Sequence, residues 1–468
     1  MKWIVLLAGV GICGGVNVIF EHIAYAHSQG VEVTVVSNKK LSSMDMKWHA
    51  AAECAEYKTY EECNGLCYDI AIVTGWDTVY EIYKINAKKY VYFVQAVESR
   101  FHKNQNTLGA RLAEMTYVLP FQYVTEATWI RKYLSDRYGW QAELILNGIN
   151  KSIFAGKVEP YAARQQGSLR VLVEGNVENW RKNVENTVEV CRQSEADEIW
   201  LMTSSDISAY EGVDRVFSKV PIRDVPKIYA SCDVLVKLSL VEGMFGPPLE
   251  MFHCGGTAIT YDIEGAEEYI IHEYNALVAP KYDTKTVVTY INELKRNHEK
   301  LCTLKMNAMN TAQKWRGWEC ASKEFYEKVT GLPETDEKDK RTLMLETKAY
   351  EGWFHLQPEE CADIVSKSVI KEIVQKLSCN KLNAIIYGAG DAAEKTIKEL
   401  SKYDIIISGV AVTSLLNNST VLLGHKVNEI IQYVHTKDEC LIIIATTKYK
   451  DEIMQKLQQL DFPNVICI

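Results

Sequence analysis

The chain has 468 residues, of which 47% are hydrophobic and 24% are charged. These fractions are close to the averages of soluble globular proteins and exclude a largely disordered, collagen-like or fibrous chain. The 52 Lys and Arg residues stand against 61 Asp and Glu, a formal net charge of −9. This balance argues against nucleic acid as the main partner. At roughly 150 residues per domain, the length predicts about three domains.

The first apolar segment is too short to cross a membrane. No run in the chain approaches the roughly 20 apolar residues that a spanning helix needs. The N-terminal stretch contains Lys2 and runs directly into Gly11, Gly14 and Gly15, which is typical of a buried strand that feeds a glycine loop. We therefore expect a cytoplasmic protein, with peripheral association at the inner face of the membrane left open.

Residues 1–152 alternate short apolar runs with amphipathic stretches, as in a parallel sheet covered by helices. The predicted class is α/β. Apolar runs predict strands at 4–8, 31–36, 70–73, 90–95, 117–119 and 143–145. Helical periodicity predicts helices over 16–28 and 126–138.

A second unit of the same kind is predicted at 153–330. Its strands are expected at 169–173, 198–202, 213–217, 234–238 and 257–260, with a closing helix around 307–328. The charged, apolar-poor run 331–341 begins a segment of linker and helix that we place at 331–380, with the helical stretch near 358–377. A third α/β unit follows at 381–468. Its alternating segments are 384–387, 392–400, 405–412, 430–433, 441–445, 452–460 and 465–468.

The segment 239–250, Ser-Leu-Val-Glu-Gly-Met-Phe-Gly-Pro-Pro-Leu-Glu, carries the strongest chemical signal. It follows a predicted strand, turns through glycines and opens a helix with paired prolines, where a missing N–H is harmless. Free backbone N–H groups at a helix start suit a phosphate. Glu242 and Glu250 lie on either side of the turn, so both can face one cleft and accept hydrogen bonds from sugar or ribose hydroxyls.

This segment resembles the donor-binding motif of retaining glycosyltransferases with the GT-B fold, particularly glycosyltransferase family four. The family pattern is Glu, seven residues and Glu, with a Gly-Phe-Gly core followed by Pro-Pro-Leu-Glu. The resemblance covers roughly residues 1–325 and includes the glycine loop at Gly14 and Gly15. It implies two facing Rossmann-like domains, with the acceptor at the first and the nucleotide diphospho-sugar at the second.

The resemblance also implies roles for individual residues. Glu250 would hold the ribose, Glu242 would contact the sugar hydroxyls, and Lys182 would stabilise the diphosphate. The candidate catalytic residues are Glu242, Lys182 and Gln95, and the candidate donor-binding residues are Gly14, Gly15, Arg181, Met244, Phe245, Gly246 and Glu250.

Three positions depart from the family pattern. Asn176 stands where the family has an Arg, so Arg181 is the candidate to replace its charge. The second glycine of the core, Gly246, arrives one position late. Gln95 stands where many members carry a His. With the acidic Glu98 after it, this stretch resembles rhamnan-assembling rhamnosyltransferases, which often carry a Gln there.

The third unit contains a Gly-x-Gly-x-x-Ala fingerprint that begins with Gly388 and Gly390, after a predicted strand. The acidic residue expected about 20 positions later is replaced by Val412-Thr413-Ser414, so NAD-type ribose recognition is not supported. Three interpretations stay open for this module: a small-molecule or nucleotide site, a docking or oligomerisation module, and a dehydrogenase or epimerase domain.

The leading hypothesis is a retaining hexosyltransferase-type enzyme that moves a sugar from a nucleotide diphospho-sugar to a polysaccharide or glycoconjugate acceptor. No cofactor and no metal are expected, because the chain contains no Asp-x-Asp motif and a positive cleft can stabilise the diphosphate. The departures at Asn176 and Gln95 motivate an alternative, a non-catalytic nucleotide-sugar-binding scaffold in a surface-polysaccharide assembly complex. The expected partners are a glycan or lipid-linked acceptor and an assembly partner or second copy at the third unit.

Overall fold

The computed structural model describes residues 1–105, 107–154, 158–355, 367–380, 382–401, 403, 405–416, 420–445 and 450–467. The chain divides into two compact units, Met1–Leu356 and Gln357–Ile468, and each is described by itself.

The first domain is built on a parallel sheet. In chain order its strands are β1 (Lys2–Leu6), β2 (Glu32–Ser37), β3 (Glu56–Thr59), β4 (Cys67–Val73), β5 (Asn86–Val94), β6 (Gln122–Thr125) and β7 (Glu143–Leu144). They lie side by side in the order β3-β2-β1-β4-β5-β6-β7. Helices α1 (Gly14–Ser28), α2 (Trp76–Val79), α3 (Leu108–Met115) and α4 (Thr128–Tyr138) connect them. The central strands are nearly continuous apolar runs because helices cover both faces of the sheet.

The second domain repeats this plan. Its strands are β8 (Arg170–Glu174), β9 (Glu198–Thr203), β10 (Arg215–Ser218), β11 (Val234–Lys237), β12 (Thr257–Tyr261) and β13 (Ala276–Ala279), in the sheet order β10-β9-β8-β11-β12-β13. Its helices are α5 (Val184–Arg192), α6 (Val225–Ser231), α7 (Gly246–His253), α8 (Thr284–Arg296) and α9 (His298–Lys314). All of its paired strands are parallel, so their carboxyl ends meet at one edge.

The chain then returns to the first domain. The expected closing helix over 307–328 is in fact two helices, because the backbone breaks after Lys314 and α10 (Trp318–Gly331) starts anew. Phe325 and Val329 of α10 are buried in the core of the first domain. Helix α11 (Glu337–His355) adds Leu343 to the same domain. The helix break therefore redirects the chain from one domain to the other.

The expected linker also lies against the first domain at its start. The backbone N–H of Thr335 donates to the carbonyl of Lys88, at 3.0 Å, and its hydroxyl accepts from the N–H of Tyr90, at 3.0 Å. Residues 331–341 thus include hydrogen-bonded and helical parts, and the boundary between the compact units falls after residue 356. The charge and low apolar content of residues 331–341 reflect a position at the surface, because α11 is amphipathic and buries only one side.

The C-terminal unit is a smaller Rossmann-like α/β domain. Its elements are α12 (Lys367–Asn380), β14 (Asn383–Tyr387), α13 (Asp391–Ser401), β15 (Ile407–Val412), β16 (Val421–Leu422), β17 (His425–Glu429), β18 (Cys440–Ile444), α14 (Lys450–Gln459) and β19 (Val465–Cys467). The sheet order is β16-β17-β15-β14-β18-β19, with β16 and β17 antiparallel and the other pairs parallel. Part of the helix expected over 358–377 lies outside the described residues.

One expected strand of the first domain is wrong. Residues 116–118 form a 3-10 turn, and the strand begins later, at Gln122. The run is predicted as a strand because it is apolar, and Tyr117 is indeed buried. Tyr117 is buried from within the turn, where its ring packs beside that of Tyr92 with centroids 5.9 Å apart. Pro120, which follows, cannot donate to a strand ladder. The short strands β3 and β13 are additions to the prediction.

Within the described part of the chain, no helix combines the length and the apolar character that a membrane crossing needs.

Candidate active site between the two domains

The motif segment forms the loop between β11 and α7 and continues into that helix. Phe245, just before α7, is completely buried and anchors the loop. Its N–H donates to the carbonyl of Gly265, at 3.4 Å, and its own carbonyl accepts from the hydroxyl of Tyr269. Helix α7 begins at Gly246 and continues through the two prolines, whose fixed φ suits a first helical turn. The loop therefore presents its backbone at the carboxyl edge of the second sheet.

Two lysines and two glutamates alternate beside this loop. The Lys182 ammonium donates to both carboxylate oxygens of Glu242, at 2.8 Å each. The Lys237 ammonium lies 2.5 Å from Glu174 Oε2 and 3.9 Å from Glu242 Oε1. The side chain of Lys237 is fully buried, whereas 27% of the Lys182 side chain is exposed. Two of the predicted catalytic residues, Lys182 and Glu242, are thus in direct contact.

The position of Lys182 depends on the turn that follows β8. Gly175 has a φ of +150°, and a Cβ on it would lie 2.9 Å from Lys182 Cβ. A side chain at this position would therefore push Lys182 away. Asn183, with a φ of 52°, donates from its side-chain amide to the carbonyl of Leu238, at 3.0 Å. This bond fastens the lysine segment to the motif loop.

The carboxyl groups of the two motif glutamates have different environments. Burial alone would raise the pKa of Glu242, but Lys182 and Lys237 lower it below its usual value. Glu242 is therefore an anion at neutral pH. Burial raises the pKa of Glu250 to about 7, and the hydroxyl of Tyr229 donates to it at 3.0 Å. Glu250 can therefore both donate and accept hydrogen bonds near neutral pH.

Arg181 lies at the domain boundary. Its guanidinium lies over the ring of Phe101, 3.5 Å from the centroid, and its Nε donates to Asn179 Oδ1 at 3.2 Å. Burial lowers the Arg181 pKa from its ordinary value, while Glu242 and Glu98 act to raise it. An arginine remains charged in such a site, because its guanidinium group does not lose its proton in proteins.

Asn176, which stands where the family has an arginine, has a different surrounding. Its side-chain amide donates to the hydroxyl of Ser204, at 3.3 Å, and its Oδ1 accepts from the N–H of Glu178, at 2.9 Å. The residue shapes the turn after β8. The positive charges near Glu242 come from Lys182, Lys237 and Arg181.

On the first-domain side of the cleft, Gln95 follows β5. Its side-chain amide donates to the carbonyl of Gly15, at 3.1 Å, and to Glu126 Oε2, at 3.4 Å. Gly14 and Gly15 are the first residues of α1. A Cβ on Gly15 would lie 3.3 Å from Gln95 Oε1, so the glycine leaves room for the amide. The structure thus brings together the predicted glycine loop and Gln95.

The two domains touch through the motif loop. The indole N–H of Trp129 donates to the carbonyl of Gly243, at 2.9 Å, and the N–H of Met244 donates to Glu126 Oε1, at 3.4 Å. Arg100 and Glu264 form an ion pair across the same cleft, at 2.7 Å. The motif loop is therefore in hydrogen-bond contact with the first domain.

Four residues of this site are additions to the sequence prediction: Glu126, Trp129, Glu174 and Lys237. Lys237 carries a usable signal, because a lysine in an apolar parallel strand must find a buried partner. Glu174 ends the neighbouring strand β8 and is that partner. Glu126 and Trp129 lie at the start of α4, far from the motif in sequence, and their contacts depend on how the domains face each other.

In the C-terminal unit, Gly388 and Gly390 form the turn between β14 and α13, as the fingerprint predicts. The hydroxyls of Tyr387 and Thr413 lie 2.8 Å apart beside this turn. Whether the turn binds a ligand stays a prediction. In the described part of the chain, no group of three or more His, Cys, Asp or Glu side chains is arranged to hold a metal ion.

In a comparison with sequence families, residues 205–311 match the family described as glycosyl transferases group 1. This segment contains Glu242 and Glu250. A curated relative, the O-antigen biosynthesis protein RfbC of Myxococcus xanthus, is 26% identical over 220 residues. That alignment covers 45% of this chain and 17% of the relative, so the chain spans only a small part of that protein.

Solved structures show the fold. Sucrose-phosphate synthase from Thermosynechococcus elongatus superposes with a TM-score of 0.57 at 15% identity, covering 70% of this chain and 98% of that one. Anabaena Alr3699/HepE, solved with UDP and glucose, gives 0.56 at 13%, covering 71% and 100%. WaaG, a glycosyltransferase involved in lipopolysaccharide biosynthesis, gives 0.56 at 12%, also covering 71% and 100%.

These matches confirm the expected α/β architecture with two facing Rossmann-like domains, and the sheet of the C-terminal unit shows the further Rossmann-like domain. The superposition covers nearly the whole length of each of these neighbours. The family match falls within the second domain, on the motif loop and α7. The family model thus matches one segment of the second domain, and the solved structures show the fold that residues of both domains adopt.

Proposed function

We propose that the protein is a retaining glycosyltransferase of hexosyltransferase type, which moves a sugar from a nucleotide diphospho-sugar to a polysaccharide or glycoconjugate acceptor. The observation that carries the proposal is the contact of Lys182 with Glu242, which brings the predicted catalytic cation and carboxylate together at the motif loop. Gln95 of the first domain lies near the same loop, through Glu126 and Met244.

The donor would lie against the second domain. Glu250 would hold the ribose hydroxyls, Glu242 the sugar hydroxyls, and the loop from Met244 to Gly246 the diphosphate. HepE crystallises in complex with UDP and glucose and also with UDP-glucose, which supports a nucleotide diphospho-sugar for this fold. The name of RfbC supports a surface polysaccharide as the acceptor. The Gln at position 95 favours a rhamnosyl donor within this class.

The reaction would begin with cleavage of the bond between the sugar's anomeric carbon and the diphosphate oxygen. The electron pair of that bond leaves with the diphosphate, whose growing negative charge Lys182 and Arg181 would stabilise. The acceptor hydroxyl then forms the new bond from the same face of the sugar. Its proton passes to the departing phosphate oxygen, and the anomeric configuration is retained.

The experiment is a screen of nucleotide diphospho-sugars, with release of nucleoside diphosphate as the signal, followed by the Lys182→Ala variant. Removal of a cation that stabilises the departing charge is expected to reduce release by about 100-fold. The matched control is Lys323→Ala, which removes an exposed lysine of α10 that pairs with Glu327. NMR of the product anomer tests retention.

A wild-type rate for Lys182→Ala would contradict the proposal. Tight binding of a nucleotide-sugar by the wild type without any release of nucleotide would favour the scaffold function instead. The contact of Asn176 with Ser204, rather than with the charged cluster, is the observation that keeps this second function worth testing.

A further inference from the structure

Glu242 has two cations of unequal access. Lys182 reaches it from the cleft and is partly exposed, while Lys237 reaches it from inside the domain, where its side chain has no exposure. Only 10% of the Glu242 side chain is exposed. A carboxylate buried to this degree needs a nearby positive charge to remain ionised.

In the proposed reaction, one of these two cations, Lys182, also binds the donor diphosphate. A diphosphate that enters the cleft competes with Glu242 for Lys182, because the ammonium group is mobile at the end of four methylene groups. When Lys182 turns to the diphosphate, Glu242 loses both of its short hydrogen bonds to that ammonium. Lys237 then remains as the buried cation beside Glu242, with its ammonium 3.9 Å from Glu242 Oε1 and fixed by Glu174.

We propose that Lys237 is a positioning residue, which holds the Glu242 carboxylate in place when Lys182 moves to the donor diphosphate. This inference rests on the proposed function for the role of Lys182 and extends it to a residue outside the family motif. Lys237 is buried behind the loop, with its ammonium 5.9 Å from the centroid of the Phe245 ring, so it acts through Glu242 rather than on the substrate.

The charges around the pair agree with this arrangement. Burial alone would lower the pKa of Lys237, but its acidic neighbours raise it overall, so it stays an ammonium ion. Charged and titratable groups that act on these two residues come from several elements: Lys182, Arg181, Lys237 and Tyr269 on Glu242, and Glu174, Glu242 and Glu250 on Lys237.

The first test needs no donor. The Lys182→Met variant imitates the state in which Lys182 has left Glu242, so Lys237→Met is made both in the wild type and in Lys182→Met. Urea unfolding from pH 5 to pH 8 gives the equilibrium constant for each protein. We expect Lys237→Met to raise the unfolding constant more strongly in the Lys182→Met background, by about tenfold or more at pH 8, and less at pH 5.

The pH dependence has a definite sign. Without either lysine, the pKa of Glu242 in the folded protein rises, and the buried carboxyl group is protonated there. Stability is then lost as the pH rises above the pKa that Glu242 has in the unfolded chain. Equal effects of Lys237→Met in both backgrounds at every pH would overturn the proposal, since Lys237 would then serve Glu174 alone.

A second pair of variants gives a result even if the double variant Lys182→Met/Lys237→Met does not fold. In a Glu242→Gln background, residue 242 carries no charge, so Lys237→Met removes a cation that residue 242 does not need. We expect a smaller loss of stability there than in the wild type, and an equal loss would contradict the proposal.

The activity readout is the pH profile of nucleotide release. We expect Lys237→Met to shift the acid limb of the profile to higher pH by about one unit, which is a tenfold loss of the release rate at acid pH. Lys237→Arg should restore most of the wild-type profile. An unchanged profile would overturn the proposal. Failure of the proposed function is distinct, because a wild type that releases no nucleotide leaves the urea experiments unaffected.

Discussion

The backbone carbonyl of Gln95, in the first domain, occupies the place where a side chain on Gly243, in the second domain, would begin. The carbonyl of Gly243 meets the indole of Trp129, and the next N–H, of Met244, meets Glu126. The motif loop therefore contacts the first domain largely through backbone atoms. How closely the domains approach is set by the absence of a side chain at residue 243.

Substitution of Gly243 by Ala is expected to keep the domains apart, because its Cβ would overlap the Gln95 carbonyl. Both domains should still fold, since neither core contains residue 243. We expect nucleotide release from the donor to fall by about tenfold or more, as small displacements of reacting groups have effects of this size. Gly331→Ala is the control, because a Cβ there meets nothing within 4 Å. Full activity of Gly243→Ala would show that closure does not need this contact.

Trp129→Phe removes the indole N–H that donates to the Gly243 carbonyl while it keeps an aromatic ring. The loss of one such hydrogen bond is expected to cost about 1 kcal/mol of domain closure. Solution scattering should show a larger radius of gyration, and nucleotide release should fall by roughly fivefold. Trp140→Phe is the matched control: its indole donates to Tyr117 within the first domain, so it should lower stability but not closure. Equal radii for the two variants would contradict the prediction.

Glu126→Gln should change how stability depends on pH. Burial raises the pKa of Glu126 from 4.5 to about 7, so the folded protein binds a proton there more tightly than the unfolded chain. The stabilisation is complete below pH 4.5 and is lost as the pH rises through 7, a total of about 3 kcal/mol. The Gln variant lacks this loss.

Urea unfolding at several pH values tests this prediction. We expect the free energy of unfolding of Glu126→Gln, minus that of the wild type, to increase between pH 5 and pH 8. The buried carboxyls of Glu98, Glu21 and Glu250 also have raised pKa values, and they contribute equally to both proteins. A difference that is constant with pH would show that Glu126 is ionised in the folded protein throughout this range.

Phe325→Ala tests the return of α10 to the first domain. The Phe325 ring stacks on that of His22, with centroids 4.0 Å apart, and also contacts Phe93. Because the ring is buried in the core of the first domain, its removal is expected to cost about 3–5 kcal/mol of stability. Leu345→Ala, at a side chain that is 59% exposed on α11, is the control and should change stability little. A loss below about 1 kcal/mol would contradict the packing described for α10.

The amino-acid sequence determines the parallel α/β class and the order of the strands that form each core. These strands are continuous apolar runs, so local composition alone predicts them, as with β1 and β11. The strand predicted at 117–119 is wrong because Tyr117 is buried in a turn rather than in a strand. The short strand β13 is absent from the prediction and pairs with β12.

The sequence also predicts the motif residues Glu242 and Glu250 and the cation Lys182, since each lies at a fixed spacing along the chain. The tertiary structure decides their partners. Lys237 pairs with Glu174 because β11 and β8 are neighbours in the sheet, although 63 residues separate them. Gln95 meets Gly243 only because the two domains face each other. Spacing along a chain fixes which residues share a loop, whereas contacts between loops depend on the packing of whole domains.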